Sequence, residues 1–499
     1  MAQVAAVIGA FGAVLALAGG TRLTLLAGFA LLAIAEAGLG AALTGGPSLD
    51  AGLGGPVLGL ATAGALFLAL AAAGLVRYPA LVLPLVLAAA PFRLPLDVDR
   101  RHRFFVDVAE SGELGRLLPL YLVLAASGLA LVYRTVRGEP VRSLPRVLAT
   151  PAAGFFALAA LSLLWSSDVV AGSNLLAFFL FPFATLVAVI GRAPFPDWMP
   201  RALAGIAVAL GCLFAVIGLW EAATERLLFF APNLEVANTY GSFFRVTSLF
   251  RDPSLYGRHL VLAIAVLLVA LWLRRLHWTA ATALIAVLWA GLYFSYSQSS
   301  MVALFAITLG ITVVVGGRRL RVAAAGATAV LALLAAGFFA FELRDESARR
   351  VTGDRSRRVE LTAQVVREHP VWGVGVGAQP TESRDRSERF GPTSNFVSHT
   401  TPLTVAAELG AVGLAFYLVL LVGAALLIEN VRRRDASLGL ALGAVIVGLF
   451  VHALFYSGFF EDPITWVALG VAAGALAVRV PEQEPSLALA PRRELVRTP

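Results

Sequence analysis

Apolar runs of roughly 17 to 25 residues follow one another along almost the whole of this chain, and that spacing leaves few folds open to it. Fifteen can be drawn, near 3–20, 23–43, 55–76, 78–96, 117–133, 147–164, 173–191, 202–222, 255–273, 278–295, 298–316, 322–342, 401–428, 437–456 and 462–479. Hydrocarbon offers no water to the backbone, so each crossing segment must satisfy its own N–H and C=O groups, which a helix does and a lone strand does not. Only 14% of the 499 residues are charged, against roughly 25% in soluble domains, and 59% are hydrophobic. The expected fold is all-α, a polytopic transmembrane helical bundle of about 12–15 spans with a large external loop. Met1 to Gly20 is apolar without a basic start, which reads as a span rather than a cleaved signal peptide.

Arginine sets the expected topology. The net charge of +8 contains no lysine at all. Short cytoplasmic loops are enriched in basic residues, and the loops holding Arg134 to Arg146, Arg192 and Arg201, Arg274 and Arg275, Arg318 to Arg321, and Arg432 to Arg434 alternate with poorly basic ones. Those five loops are expected on the cytoplasmic side. The chain then divides into transmembrane helices over 1–342 with an external loop at 221–254, a large external loop at 343–400, C-terminal transmembrane helices over 401–479, and a cytoplasmic tail at 480–499. Three external loops break the charge rule: 93–116, 221–254, and 343–400, the last with ten arginines from Arg344 to Arg389. Arginine where topology does not ask for it has two explanations. One is pairing with an anionic substrate; the other is pairing with local acids such as Asp345, Glu360, Glu382 and Asp385.

The polar interval from Phe341 to Leu409 is therefore where chemistry is expected. Upstream of it, FFRVTSLFRDPSLYG (Phe243 to Gly257) puts Arg245 and Arg251 beside a helix start at Asp252-Pro253, where free backbone donors suit phosphate. The alternative is that these arginines anchor a helix at the membrane surface. Within the long loop, DRSRRVELTAQVVREHPVWGVGVG gathers Arg355, Arg357 and Arg358 at the start of a helical stretch, Val359 to Arg367, that Pro370 ends. Gly373, Gly375 and Gly377 are not a nucleotide loop, because no strand precedes them and no lysine follows. His399 stands where the loop re-enters the membrane, with Glu408 about two turns on, and can exchange a proton near neutral pH. Cys212 is the only cysteine, which rules out an intrachain disulfide and a Cys-based metal cage. No HExxH, GxSxG or paired acidic metal motif is present, while Ser297, Gln298, Ser299 and Ser300 make a polar spot within the apolar region.

Three stretches taken in order, Arg245 in RVTSLFRDPSLYG, EHPVWGVGVG at Glu368 to Gly377, and His399 in SHTTPLTVAAELGAVGL, resemble the bacterial O-antigen ligase and O-antigen polymerase superfamily over roughly Arg245 to Phe416. The chain departs from the family pattern at Thr400 and at Ser299-Ser300, and spacing leaves Arg355, Arg357 and Arg358 all eligible as the second site arginine. The resemblance implies a multi-pass membrane glycosyltransferase of a bacterial inner membrane with its site on the periplasmic side. It would move a glycan from an undecaprenyl diphosphate-linked donor onto the hydroxyl of a glycan or lipid-linked acceptor, by an inverting route that needs no metal or other cofactor. His399 would be the catalytic residue, and Arg245, Arg251, Arg355, Arg357 and Arg358 the diphosphate-binding set. Membrane lipids are expected partners and nucleic acid is not. The competing reading is a secondary transporter or a lipid-linked glycan flippase, which would carry ionisable residues in mid-membrane on broken helices.

Overall fold

The computed structural model describes all residues except 44–54, 93–116, 230–231, 241–242, 251, 346–354, 388–395, 457 and 478–499. Among the described residues it is helical, with no strand. The helices are α1 (Ala2–Ala18), α2 (Arg22–Leu43), α3 (Gly55–Arg77), α4 (Val82–Ala89), α5 (Leu118–Val136), α6 (Arg146–Leu161), α7 (Val169–Leu175), α8 (Phe181–Ile190), α9 (Met199–Thr224), α10 (Pro232–Tyr240), α11 (Pro253–Trp272), α12 (Trp278–Ser295), α13 (Gln298–Val315), α14 (Arg318–Asp345), α15 (Arg355–Glu368), α16 (Gln379–Asp385), α17 (Thr401–Arg434), α18 (Ala436–Ala453) and α19 (Pro463–Leu476).

Among the described residues, ten helical stretches are long and apolar enough to cross a membrane, and α1 and α19 are apolar but shorter. This is a multi-pass membrane protein. One expected span needs correction. Tyr78 to Pro84 does not open a second full crossing: Thr62–Arg77 and Pro79–Ala89 meet at a bend of 109°, as Pro79 breaks the helix by removing a donor. The expected span at 173–191 is one element with α7, joined through a π-helical turn at Leu176–Leu180.

Buried side chains form two large apolar clusters. One joins α1, α2, α5, α6, α8, α17 and α19, with Phe156, Phe181 and Trp466 among its largest members. The other joins α9, α11, α12, α13 and α18 around Phe214, Tyr256 and Leu260. A third, small cluster of Val365, Val374, Ala378 and Ala407 fastens α15 to the first turns of α17.

That fastening explains the glycines. Within α17 the backbone leaves the helical region at Gly410 (φ 65°, ψ −163°), splitting it into two segments. The freed groups are taken up by the 370–377 stretch. Val374 N–H donates to Ala407 O (2.9 Å), Gly375 N–H to Glu408 O (2.8 Å), and Ala411 N–H to Pro370 O (2.8 Å). Gly375 has φ 94°, and a Cβ there would stand 2.3 Å from Ser166 Cα; at Gly410 it would stand 2.1 Å from Val371 O. Only glycine fits either place. Ser166 and Ser162 secure the other edge, Ser166 Oγ donating to Val376 O (3.0 Å) and Val376 N–H to Ser162 Oγ (3.0 Å). The glycine-rich run is thus a strap that locks a broken helix, and that helix begins at Thr401, two residues after His399.

Candidate active site

His399 sits in the connection between α16 and α17 with φ 58°, a left-handed conformation that costs a non-glycine residue free energy and persists only where neighbours impose it. Gln379 on α16 does much of the imposing. Its Nε2 donates to Phe396 O (3.2 Å) and its Oε1 accepts from Ser398 N–H (3.4 Å). Ser398 Oγ lies 2.6 Å from Thr404 Oγ1, and Thr400 Oγ1 donates to Leu454 O (2.7 Å). The segment is pinned on both sides of the imidazole.

Arg358 on α15 reaches the ring, its Nη1 lying 3.4 Å from His399 Nε2 while its guanidinium covers the Phe396 ring at 5.2 Å. Burial, then the charges of Arg358 and Arg355, pull the His399 imidazole down to a pKa of about 4, against a smaller upward pull from Asp252. The ring is neutral at physiological pH. Nδ1 is buried without a hydrogen-bond partner among the described residues.

Arg245 approaches from the other loop. Its backbone is clamped by Asn238 on α10, which accepts from Arg245 N–H and donates to Arg245 O, both at 3.0 Å. Glu221, fully buried at the end of α9, accepts from the N–H groups of Thr247 (2.8 Å) and Ser248 (2.7 Å) and so folds the loop that carries it. Arg245 Nε donates to Ser295 O (3.3 Å), and the rest of its fork has no partner among the described residues. Burial lowers its pKa first, Asp252 raises it and Arg355 lowers it, so Arg355 and Asp252 each lie within electrostatic reach of both Arg245 and His399.

The residues proposed from sequence therefore separate. His399, Arg245, Arg355 and Arg358 converge on one place. Arg357 does not join them: its Nη1 is engaged by Glu360 at 3.0 Å, a pair three residues apart on the helix surface. Arg251 lies outside the described residues. Local acids absorb other arginines, Arg386 being held by Glu368 (2.5 Å) and Glu382 (2.6 Å). Two residues join the site that sequence reasoning left out. Asp252 caps α11 through Oδ1, accepting from Ser254 N–H (2.7 Å) and Leu255 N–H (3.0 Å), while Oδ2 accepts from Tyr456 O–H (3.0 Å). Tyr456 in turn lies between His399 and His452, ring centroids 6.3 and 5.4 Å away. The cap was legible in the Asp-Pro pair; Tyr456, in a loop two spans away, carried no signal. The serines form a buried cluster, with Ser297 Oγ 2.8 Å from Ser300 Oγ and Ser299 Oγ 3.1 Å from His452 Nε2.

Three arginines around a neutral histidine, with one carboxylate, make a site that can hold a polyanion and take up a proton beside it. No curated protein matches the chain. Residues 283–418 match the Wzy_C family model, described as O-Antigen ligase. The matched stretch holds Arg355, Arg358, His399 and the strapped kink, and leaves Arg245 and Asp252 outside it. The match over residues 283–418 supports the resemblance of this part of the chain to the O-antigen ligase and O-antigen polymerase superfamily.

Proposed function

We propose that the protein is an inverting glycosyltransferase that moves a glycan from an undecaprenyl diphosphate-linked donor to an acceptor hydroxyl on the outer side of a bacterial inner membrane. Neutral His399 among Arg245, Arg355 and Arg358 carries this reading. His399 takes the acceptor's hydroxyl proton as the acceptor oxygen bonds to the anomeric carbon. The bond from that carbon to the diphosphate breaks, and its electron pair leaves on the lipid diphosphate. The arginines hold the charge that grows there, the task a divalent ion performs elsewhere, so the reaction proceeds without one. Diphosphate binding also offsets the field that keeps the imidazole acidic, and the base strengthens as the donor arrives.

The direct test is release of undecaprenyl diphosphate by the purified protein given lipid-linked glycan and acceptor, in washed samples with EDTA. Release coupled to glycan transfer supports the reading; an absolute need for an added divalent ion removes the arginine mechanism. A second reading, a transporter or flippase, is favoured by the broken α17 and by a buried Arg258–Asp462 ion pair. It predicts movement of lipid-linked glycan between leaflets with no new glycosidic bond.

Arg245→Lys is expected to fail, with kcat/KM down about tenfold or more, because an ammonium is a point charge where a planar fork grips two oxygens. Wild-type kinetics in this variant would reduce Arg245 to a general electrostatic anchor.

Sidedness follows from the arginine-rich loops. In a Cys212→Ala background, Asp385→Cys is expected to react with a membrane-impermeant maleimide in intact spheroplasts, and Ala436→Cys only after permeabilisation. Both positions are exposed. The opposite labelling pattern would put His399 in the cytoplasm and end the proposal.

A further inference from the structure

At the end of the bundle away from His399 lies a concavity that the proposed reaction leaves unused. A cavity of ≈ 790 Å³ opens between the α5–α6 connection, the turn before α9 and the α17–α18 corner, with Arg142, Arg434, Asp197 and Asp435 on its wall beside Trp198. Next to it, among α4, α9, α11, α18 and α19, runs a slot of only ≈ 130 Å³ walled by apolar side chains such as Ala207, Ala441 and Val467. Pro200 and Leu438 line both spaces, so they are contiguous. The far end of the slot is stopped by His259, which stacks on Phe250 at 4.4 Å, with Phe214 edge-on to both rings. Phe250, two residues before Asp252, thus backs the His259 end of the slot, while Pro200 and Leu438 join the slot to the space at the arginine-rich end.

The polar wall is prepared for a ligand. The Arg142 side chain makes no hydrogen bond or ion pair among the described residues. Its carbonyl is held by buried Arg192, whose Nε donates to it at 2.9 Å while Nη1 and Nη2 grip Ala188 O and Gly19 O. Arg434 spends Nη1 on Leu476 O (3.1 Å) and keeps its other donors. Asp435 uses Oδ1 to cap α18, leaving Oδ2 open. Two guanidiniums beside a carboxylate match a phosphate joined to an ammonium, and a narrow apolar slot matches one hydrocarbon chain.

We propose that this combined space binds a zwitterionic aminophospholipid of the arginine-rich leaflet, its phosphate on Arg142 and Arg434, its ammonium toward Asp435, and one acyl chain in the slot. The chain would end against the His259–Phe250 stack, two residues before the Asp252 cap, so occupancy would brace the loop that carries Arg245.

Native mass spectrometry of the delipidated full chain, offered phosphatidylethanolamine, phosphatidylglycerol, phosphatidylcholine and undecaprenyl phosphate in competition, tests this independently of glycan transfer. The expected result is one retained phosphatidylethanolamine, with retention reduced about tenfold or more in Arg142→Gln/Arg434→Gln, the effect of losing charge-assisted hydrogen bonds. Ala207→Phe, which fills the slot and leaves the polar wall intact, is expected to abolish retention. Equal retention of phosphatidylglycerol would overturn the charge match, and undecaprenyl phosphate in its place would make the slot a donor site. Unchanged retention in Ala207→Phe would overturn the assignment of the chain to the slot.

Discussion

Replacing His399 by alanine is expected to lower glycan transfer by about 10² to 10⁴-fold, the usual worth of a general base, while the protein still purifies as a monodisperse particle. The side chain is only partly buried and fills no core space. Its backbone, however, is left-handed, and alanine tolerates that less well than asparagine does. His399→Asn is therefore the sharper variant, because it relieves the backbone objection and still removes the proton acceptor. Full activity in His399→Asn would remove the imidazole from the mechanism.

The same residue fixes a pH signature. With the free-enzyme pKa at about 4, well below the ordinary 6.5, His399 is already neutral at pH 6. Accordingly kcat/KM should stay level on acidification past pH 6 and fall only as pH drops through about 4. An anionic donor in the site raises the pKa, so the acid limb of kcat should lie at higher pH than that of kcat/KM. Arg358→Ala, by removing the nearer guanidinium, should move the kcat/KM limb upward. The sign for stability follows the same way. A pKa depressed by folding contributes stability that is complete above the unfolded value and is lost as pH falls from about 6.5 to about 4. A kcat/KM limb at the ordinary histidine position would contradict the arginine-flanked geometry.

Asp462→Ala should be the most damaging change to the fold. Asp462 caps α19 by accepting from Ile464 N–H (2.9 Å) and pairs with Arg258 of α11, the two side chains being 1% and 4% exposed. Removing the acid alone breaks a buried ion pair, a loss of about 3–5 kcal/mol, with the cap adding about 1 kcal/mol. Thermal inactivation followed by size-exclusion chromatography should show a large drop in midpoint. Replacing both partners by leucine should be much milder, since no charge is then left uncompensated. If the single and double variants melt alike, the pair is not what holds α11 against α19.

The strap at 370–377 shows how the sequence and the fold share the work. The sequence by itself made a transmembrane helical bundle unavoidable, because runs such as 202–222 and 255–273 have no other way to satisfy their backbone in hydrocarbon. It also marked local chemistry that needs only near neighbours: the Asp252-Pro253 helix start, the helix begun by the Arg355–Arg358 group, and the polar interval around His399. Three glycines in PVWGVGVG and one in AELGAVG were visible as motifs, but their purpose was not, since each is required by a partner tens of residues away. Tertiary packing alone decided that Gly410 breaks α17 and that residues 370–377 fill the break. It likewise turned Arg358 toward His399 while Glu360 drew Arg357 aside, although the two arginines are adjacent and chemically identical. Adjacent positions on a helix point about 100° apart, and only the surfaces that the helix packs against determine which of them faces the site.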